Sequence, residues 1–372
     1  MSSVVTCACP FVPVELILAS GLQPRRLVSG QWIQRMPQAE GLCAFVRAYC
    51  GSILAVRPAL AVFTTLCDQM RRGWEGLLEP PDARLEVGDS PVRVFLLHVP
   101  RTLTPAAQEF YRRELERLAD CLGEISGRRP GGSDLAEAMR ACQAERAEVV
   151  NGRTRSVLGE QKPDRPYGLP RPAPLRGSTA KARIRLALAG GPLMQEDAQL
   201  LEQVDELGGH VALDATDSGE FFFPLDFEPQ ALERDPLGEL ATAYFAIAHP
   251  ARRPNDAFHA RLKQEIARLG IRGIILRRYV RCDTWHAEVA CLREQFARET
   301  GQERGRDARD TEREPDGSTA RPSSPKSELA EVARGTRETP VPVLDLDVDG
   351  QAGDAARVRG RLQAFLEVLR GR

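Results

Sequence analysis

Residues 59–66 read ALAVFTTL, and Cys67-Asp68 follows directly. A run of apolar and β-branched residues of this length is typical of a buried strand, and a stretch with helical spacing comes next. The pattern recurs at residues 273–276, which read GIIL and lead after a short stretch to Cys282-Asp283. Because the carboxyl ends of parallel strands meet at one edge of a sheet, the two thiols predict one shared site.

Strands and helices alternate along the rest of the chain with short connections. Apolar runs predict strands at 92–98, 184–189 and 271–277, and helical periodicity predicts helices at 104–124, 133–149, 195–207, 256–269 and 284–299. Such alternation favours parallel, doubly wound sheets. We therefore expect an α/β fold with two Rossmann-like parallel-sheet domains, flanking helices and a site between the domains.

The domain boundary is predicted from proline content. Residues 162–177 contain five prolines, which predict a stiff linker. This divides the chain into an N-terminal α/β domain with a helical part (1–161) and a C-terminal α/β domain (178–372). Residues 300–339 are rich in charged residues, Ser, Thr and Pro and poor in apolar ones, so we expect a disordered insert there.

The composition excludes several classes of protein. The 372 residues include 51 basic and 52 acidic side chains, so no charge excess points to nucleic acid. A run of about 18 apolar residues, which a membrane span requires, is absent, and the N-terminus lacks the basic region of a signal peptide. We therefore expect a cytoplasmic protein. Structural disulfides are unusual in that compartment, so the nine cysteines are packing residues, metal ligands or catalytic groups.

The cysteines support two explanations. Cys67 and Cys282 each precede a helix, whose N-terminus lowers the pKa of a thiol, but a free cysteine is more often a small buried hydrophobe. The matching contexts make the two explanations about equal. Cys9 also lies ahead of a predicted helix, Cys43 lies near a helix start and alone would be a packing residue, and no Cys-x-x-Cys zinc pattern occurs. Widely spaced thiols brought together by the fold suit an iron–sulfur cluster better.

Other candidate sites are fewer. Gly-x-Gly-x-x-Gly and Walker-type loops are absent, so no nucleotide motif is evident. Gly190-Gly191 after a strand is either a phosphate turn or a turn that needs small residues, and we favour the second explanation. Glu15 lies at a helix start, where its carboxylate either favours the helix dipole or faces the site. We predict Glu15 as a catalytic residue.

Several segments, in this order, carry a family resemblance. They are PVELILASGLQP at 13–24, Cys43 with Arg47, Cys67-Asp68 with Arg71, RIRLALAGGPL at 183–193, LGGHV at 207–211, Cys282-Asp283, VPVLDLD at 341–347 and RLQAFLE at 361–367. Together they resemble the 2-hydroxyacyl-CoA dehydratase D-component family, which includes the benzoyl-CoA reductase subunits. The chain starts almost at the first motif, so we expect the usual N-terminal extension to be missing.

The resemblance implies a [4Fe–4S] cluster between the two domains, bound through three cysteines. By position these are Cys43, Cys67 and Cys282, with Cys9 as a reserve ligand. It also implies one-electron chemistry, in which a separate ATP-dependent activator, itself an iron–sulfur protein, supplies an electron. The cluster passes this electron to an acyl-CoA thioester, and the resulting ketyl radical expels the 2-hydroxyl group. A related second subunit, or a second copy of the chain, is the implied partner.

The resulting prediction is the iron–sulfur subunit of a 2-hydroxyacyl-CoA dehydratase-like hydro-lyase. One alternative is a benzoyl-CoA reductase-type subunit, since ring reduction and dehydration would use the same cluster frame. A second is a non-catalytic paralogue that acts in electron transfer or assembly. A third, a plain α/β binding protein with packing cysteines, predicts no metal at all.

Overall fold

A computed structural model describes residues 3–26, 28–35, 41–78, 92–150, 183–297, 340–349 and 354–372. The predicted linker at 162–177 and the predicted insert at 300–339 lie outside these residues. Both therefore stay predictions, as do the domain boundaries drawn from them.

Two four-stranded parallel sheets form the frame of the molecule. The first has the order β2-β1-β3-β4 and contains β1 (Val4–Cys7), β2 (Gln23–Arg25), β3 (Leu60–Thr64) and β4 (Arg93–Leu97). The second has the order β6-β5-β7-β8 and contains β5 (Ile184–Gly190), β6 (Gly209–Thr216), β7 (Gly273–Tyr279) and β8 (Val343–Val348). The predicted α/β class with two parallel sheets is confirmed.

Helices connect the parallel strands and flank both sheets. They are α1 (Val14–Ala19), α2 (Ala44–Val56), α3 (Asp68–Leu78), α4 (Pro105–Ser126), α5 (Gly132–Val150), α6 (Ala198–Glu206), α7 (Pro229–Arg234), α8 (Pro236–Phe245), α9 (Asp256–Leu269), α10 (Asp283–Ala297) and α11 (Asp354–Arg370). Short 3-10 turns lie at Gly30–Arg35, Gln195–Asp197 and Glu220–Phe222. In the described ranges, no helix combines the length and the apolar character that crossing a membrane requires.

The strands are apolar because both of their faces are covered. In β3, Leu60 and Val62 pack into one apolar cluster, whereas Ala61 and Phe63 pack into a second cluster. This division follows the two-residue period of a strand. Strand β7 divides in the same way, with Ile274 in the first cluster and Ile275 in the second. Each cluster thus includes residues from both sheets.

Hydrogen bonds also join the two halves of the chain. The Ser29 hydroxyl donates to Glu196 Oε1 at 2.8 Å, and the Gly30 backbone N–H donates to Glu196 Oε2 at 2.8 Å. On another connection, the Arg253 N–H donates to the Arg101 carbonyl at 2.9 Å. These contacts fix loops of the first half against loops of the second.

Gly190, at the end of β5, has a structural explanation. Its φ angle is +146°, and a Cβ atom there would lie 1.7 Å from the Arg277 carbonyl oxygen of β7. Glycine is needed so that the two backbones can approach each other. This agrees with the interpretation of Gly190-Gly191 as a turn that needs small residues.

An ion pair between His259 and Glu288 joins α9 to α10 and makes the stability of the fold depend on pH. His259 Nε2 lies 3.0 Å from Glu288 Oε2, and Nδ1 lies 2.8 Å from Gln295 Oε1. The Glu288 carboxylate, which accepts from the imidazole, raises the pKa of His259 above its ordinary value, against an opposing effect of burial. The charged imidazole therefore stabilises the fold fully below about pH 6.5, and this contribution is lost as the pH rises through the higher folded pKa.

We expect the free energy of unfolding of the wild type, relative to His259→Gln, to decrease between pH 6 and pH 9. Urea unfolding of both proteins across this range measures the difference. Parallel pH profiles for the two proteins would contradict the assignment.

Candidate functional site

A cavity lies at the carboxyl ends of strands from both sheets. Four thiols line it together with Thr64, Asp217, His249 and Thr284. The rest of the wall is apolar or aromatic and consists of Ala8, Phe45, Val46, Leu66, Met70, Pro192, Ala251, Tyr279 and Trp285. A polar cluster enclosed by apolar walls is the usual form of a ligand or cofactor site.

The four thiols are Cys9, Cys43, Cys67 and Cys282, so the structure brings together the three predicted ligands and the reserve ligand. Cys9 follows β1, Cys67 lies between β3 and α3, and Cys282 lies between β7 and α10. Cys43 is the N-cap residue of α2, with an extended backbone at φ −67° and ψ 158°. Each position follows from the local pattern in which a strand end or loop leads into a helix.

Helix starts also direct backbone N–H groups at these sulfur atoms. The backbone amides of Val46 and Phe45 lower the pKa of the Cys43 thiol, and those of Met70 and Gln69 lower the pKa of the Cys67 thiol. Unpaired amides of a first helical turn stabilise negative charge. The amides therefore favour the thiolate form, which is the form that binds metal.

Burial acts in the opposite direction and has the larger effect. It raises the pKa of the Cys9 and Cys43 thiols to about 12, and it also raises the pKa of Cys67 and Cys282. The Cys67 sulfur further raises the pKa of both Cys43 and Cys282, since the three groups would repel one another as thiolates. Burial therefore favours the neutral form of these thiols near pH 7, and a cationic group that bound there would displace their protons.

The donor atoms of the cavity are of the kind that binds iron–sulfur clusters. Within the part of the chain that the structure describes, no three Cys, His, Asp or Glu side chains are grouped so as to hold one metal ion. The cavity nevertheless has four thiols, and thiolates are the ligands of iron–sulfur clusters. A cluster of several irons spreads its ligands farther apart than one ion does. The residues present fit such a group.

Gln69 ties two of the thiol-bearing segments together. Its buried side-chain Oε1 accepts a hydrogen bond of 2.7 Å from the Cys43 backbone N–H. Because Gln69 lies in the first turn of α3, this bond joins the start of α2 to the segment that carries Cys67. No local sequence pattern indicates this contact, because it depends on how the two helix starts pack.

Asp217 and His249 are cavity residues that sequence reasoning missed. His249 Nε2 lies 3.1 Å from Asp217 Oδ1, and the Trp285 indole N–H donates to the same oxygen at 3.2 Å. Asp217 directly follows β6, so the rule that led to Cys67 also applies to it. His249 lies in the connection after α8 and had no comparable signal.

The structure gives Glu15 a different place from the predicted one. It is fully buried, it pairs with Arg146 of α5, and it accepts a hydrogen bond of 2.6 Å from the Tyr244 hydroxyl of α8. Glu15 is not among the described residues that line the cavity. Both carboxylate oxygens thus bond to other helices, so the carboxylate joins α1 to the helical layer instead of facing the site.

The other cysteines have ordinary surroundings. Cys7, Cys50 and Cys142 are buried, Cys121 is half-buried and Cys291 is exposed. Cys7 and Cys142 pack in one apolar cluster and Cys50 in the other. The packing role expected of a typical free cysteine applies to these buried residues.

One comparison with known proteins is informative. A sequence model of the family described as 2-hydroxyglutaryl-CoA dehydratase, D-component, matches residues 9–153 and 168–302. These ranges include all four cavity thiols as well as Asp217 and His249. No curated protein matches the chain.

Proposed function

The chain belongs to the family of the 2-hydroxyglutaryl-CoA dehydratase D-component, and on that basis we propose that it is the iron–sulfur subunit of a 2-hydroxyacyl-CoA dehydratase-like enzyme. The observation that carries the proposal is the presence of Cys43, Cys67 and Cys282 on one cavity. They lie at three helix starts, two among the elements of the first sheet and one among those of the second. Packing alone does not require three separate helix starts to place thiols on the same cavity.

In this proposal Cys43, Cys67 and Cys282 hold a [4Fe–4S] cluster, with Cys9 as the reserve ligand. When bound, the cluster supplies single electrons for elimination of water from an acyl-CoA thioester. The protein contributes the environment. Backbone amides of α2 and α3 stabilise the thiolates, and the apolar side chains of Phe45, Met70 and Trp285 keep water from the wall of the cavity.

The family implies a dehydratase of several subunits. We propose that the partner subunit is a related chain or a second copy of this one. The part of the chain that the structure describes contains no nucleotide-binding glycine motif. We propose that a separate ATP-dependent iron–sulfur activator supplies the electron.

The proposal is tested by expression and purification without oxygen. We expect a brown protein with about four irons and as many acid-labile sulfides for each chain. With an activator, ATP, a reductant and the related subunit, the protein should convert a 2-hydroxyacyl-CoA into the unsaturated thioester, which chromatography of the acyl-CoA pool detects. A colourless anaerobic preparation would refute the cluster.

A second candidate, an electron carrier, is favoured by one observation. Cys9 is a fourth thiol on the same cavity, 8 % exposed and adjacent to Thr64. Four thiolates would ligate every iron of the cluster and leave none open to a substrate. The same experiment separates the two candidates, because a carrier contains iron but produces no unsaturated thioester.

A further inference from the structure

Asp217 is held in one orientation by two donors. The Trp285 indole N–H donates to its Oδ1 at 3.2 Å, and His249 Nε2 lies 3.1 Å from the same atom. The backbone N–H of Asp217 also donates to the Gly190 carbonyl at 3.0 Å. Both the main chain and one carboxylate oxygen of this residue are therefore fixed.

The tautomer of His249 follows from its second contact. The Ala251 backbone N–H lies 3.0 Å from His249 Nδ1, and a backbone N–H can only donate. Nδ1 is therefore an acceptor, and the proton of the neutral ring is on Nε2, which donates to Asp217. Phe222 and Phe11 pack against the ring, with centroid distances of 4.8 and 5.6 Å. His249 has both nitrogens engaged and acts as a support for Asp217.

The other carboxylate oxygen has no such support. Asp217 Oδ2 makes no hydrogen bond to any described residue. The side chain is 16 % exposed and Asp217 lines the thiol cavity. A carboxylate oxygen that lacks a partner in a largely apolar cavity is suited to accept a hydrogen bond from a ligand.

We propose that Asp217 Oδ2 binds the 2-hydroxyl group of the acyl substrate. This inference rests on the proposed function, which supplies a ligand with a hydroxyl group close to its thioester. Asp217 lies in the same cavity as Cys67 and Cys282, so a hydroxyl bound there lies beside the thiols. Two donors on Oδ1 prevent the carboxylate from turning away, and Asp217 thereby selects for 2-hydroxyacyl over plain acyl chains.

Asp217→Asn is the sharpest substitution. The amide oxygen can take the place of Oδ1 and keep the bonds from His249 and Trp285, so the amide nitrogen takes the place of Oδ2. The acceptor that faces the cavity becomes a donor. Asp226→Asn, at an exposed position in the described chain, is a control with the same chemical change.

The experiment measures the affinity of the anaerobic protein for lactoyl-CoA and propanoyl-CoA by calorimetry. These two small acyl-CoA thioesters differ only in the 2-hydroxyl group. The wild type and Asp226→Asn should bind lactoyl-CoA at least about tenfold more tightly, as expected for a hydrogen bond to a charged group. In Asp217→Asn the ratio should fall severalfold, because a neutral amide N–H can still donate to the hydroxyl oxygen but binds it more weakly than a carboxylate accepts from the hydroxyl. Trp285→Phe removes one donor to Oδ1 and should also reduce the ratio of the two affinities severalfold. This variant replaces Asp217→Asn in the test if Asp217→Asn does not fold.

The outcomes are distinct. Equal wild-type affinities, or a ratio that either cavity variant leaves unchanged, would overturn the role of Asp217 but leave thioester binding and the proposed function in place. If the wild type binds neither thioester, the proposed function fails and this inference fails with it.

Discussion

Cys67→Ala and Cys282→Ala should each lose most of the iron from the anaerobically purified protein. Both side chains line the cavity, and each lies at a helix start that follows a strand. A cluster held by three thiolates cannot lose one without exposing an iron to solvent, so we expect iron to fall from about four to less than one for each chain. Iron and sulfide analysis, with the visible absorption of the cluster, measures the loss.

Controls separate ligand loss from misfolding. Cys291→Ala changes an exposed thiol on α10, the helix that follows Cys282, and should retain its iron. Circular dichroism should show the same helix content in all variants. Cys9→Ala should also retain iron if Cys43 completes the set of ligands. Full iron content in both Cys67→Ala and Cys282→Ala would rule out these thiols as ligands.

Glu15→Ala should lower the free energy of unfolding by roughly 3–5 kcal/mol, the usual cost of breaking a buried ion pair. The Glu15 side chain is 0 % exposed and that of its partner Arg146 is 5 % exposed. The alanine variant therefore leaves a buried guanidinium without this carboxylate, and the Tyr244 hydroxyl loses an acceptor. Urea unfolding monitored by circular dichroism measures the change.

Two comparisons make this result specific. Glu109→Ala breaks an exposed pair with Arg113, and it should cost less than about 1 kcal/mol. The double variant Glu15→Met, Arg146→Met removes both charges and should be more stable than Glu15→Ala. If the Glu15→Gln variant folds, it should retain its iron and the catalytic activity of the wild type. An inactive Glu15→Gln with wild-type stability would instead restore the catalytic role predicted from the sequence.

Local patterns in the sequence predicted much of the fold. The strand predicted from the apolar run at 59–66 corresponds to β3, and the strand predicted at 271–277 corresponds to β7. Each was recognisable because strands covered on both faces consist almost entirely of apolar residues. Helix α9 agrees with its predicted range, whereas the range predicted for 195–207 divides into a 3-10 turn and α6. The helices α7 and α8, which begin with Pro229 and Pro236, were not predicted.

The site was predicted only as far as local signals reach. Cys67 and Cys282 are marked by the strand before them and the helix after them, so the sequence indicates a site at both. The support around Asp217 comes instead from His249 and Trp285, which are 32 and 68 residues away in the chain. The contacts of Glu15 are non-local in the same way, since Tyr244 is 229 residues away. Pairing over such distances is decided by packing.

The thiols that meet at the cavity belong to opposite halves of the protein: Cys43 and Cys67 to the segments around the first sheet, Cys282 to the second. Any group bound by all three thiols would cross-link the two halves. The protein would then be more resistant to unfolding with its prosthetic group bound. Oxidative damage to that group would weaken the association of the two halves and also abolish the catalytic activity.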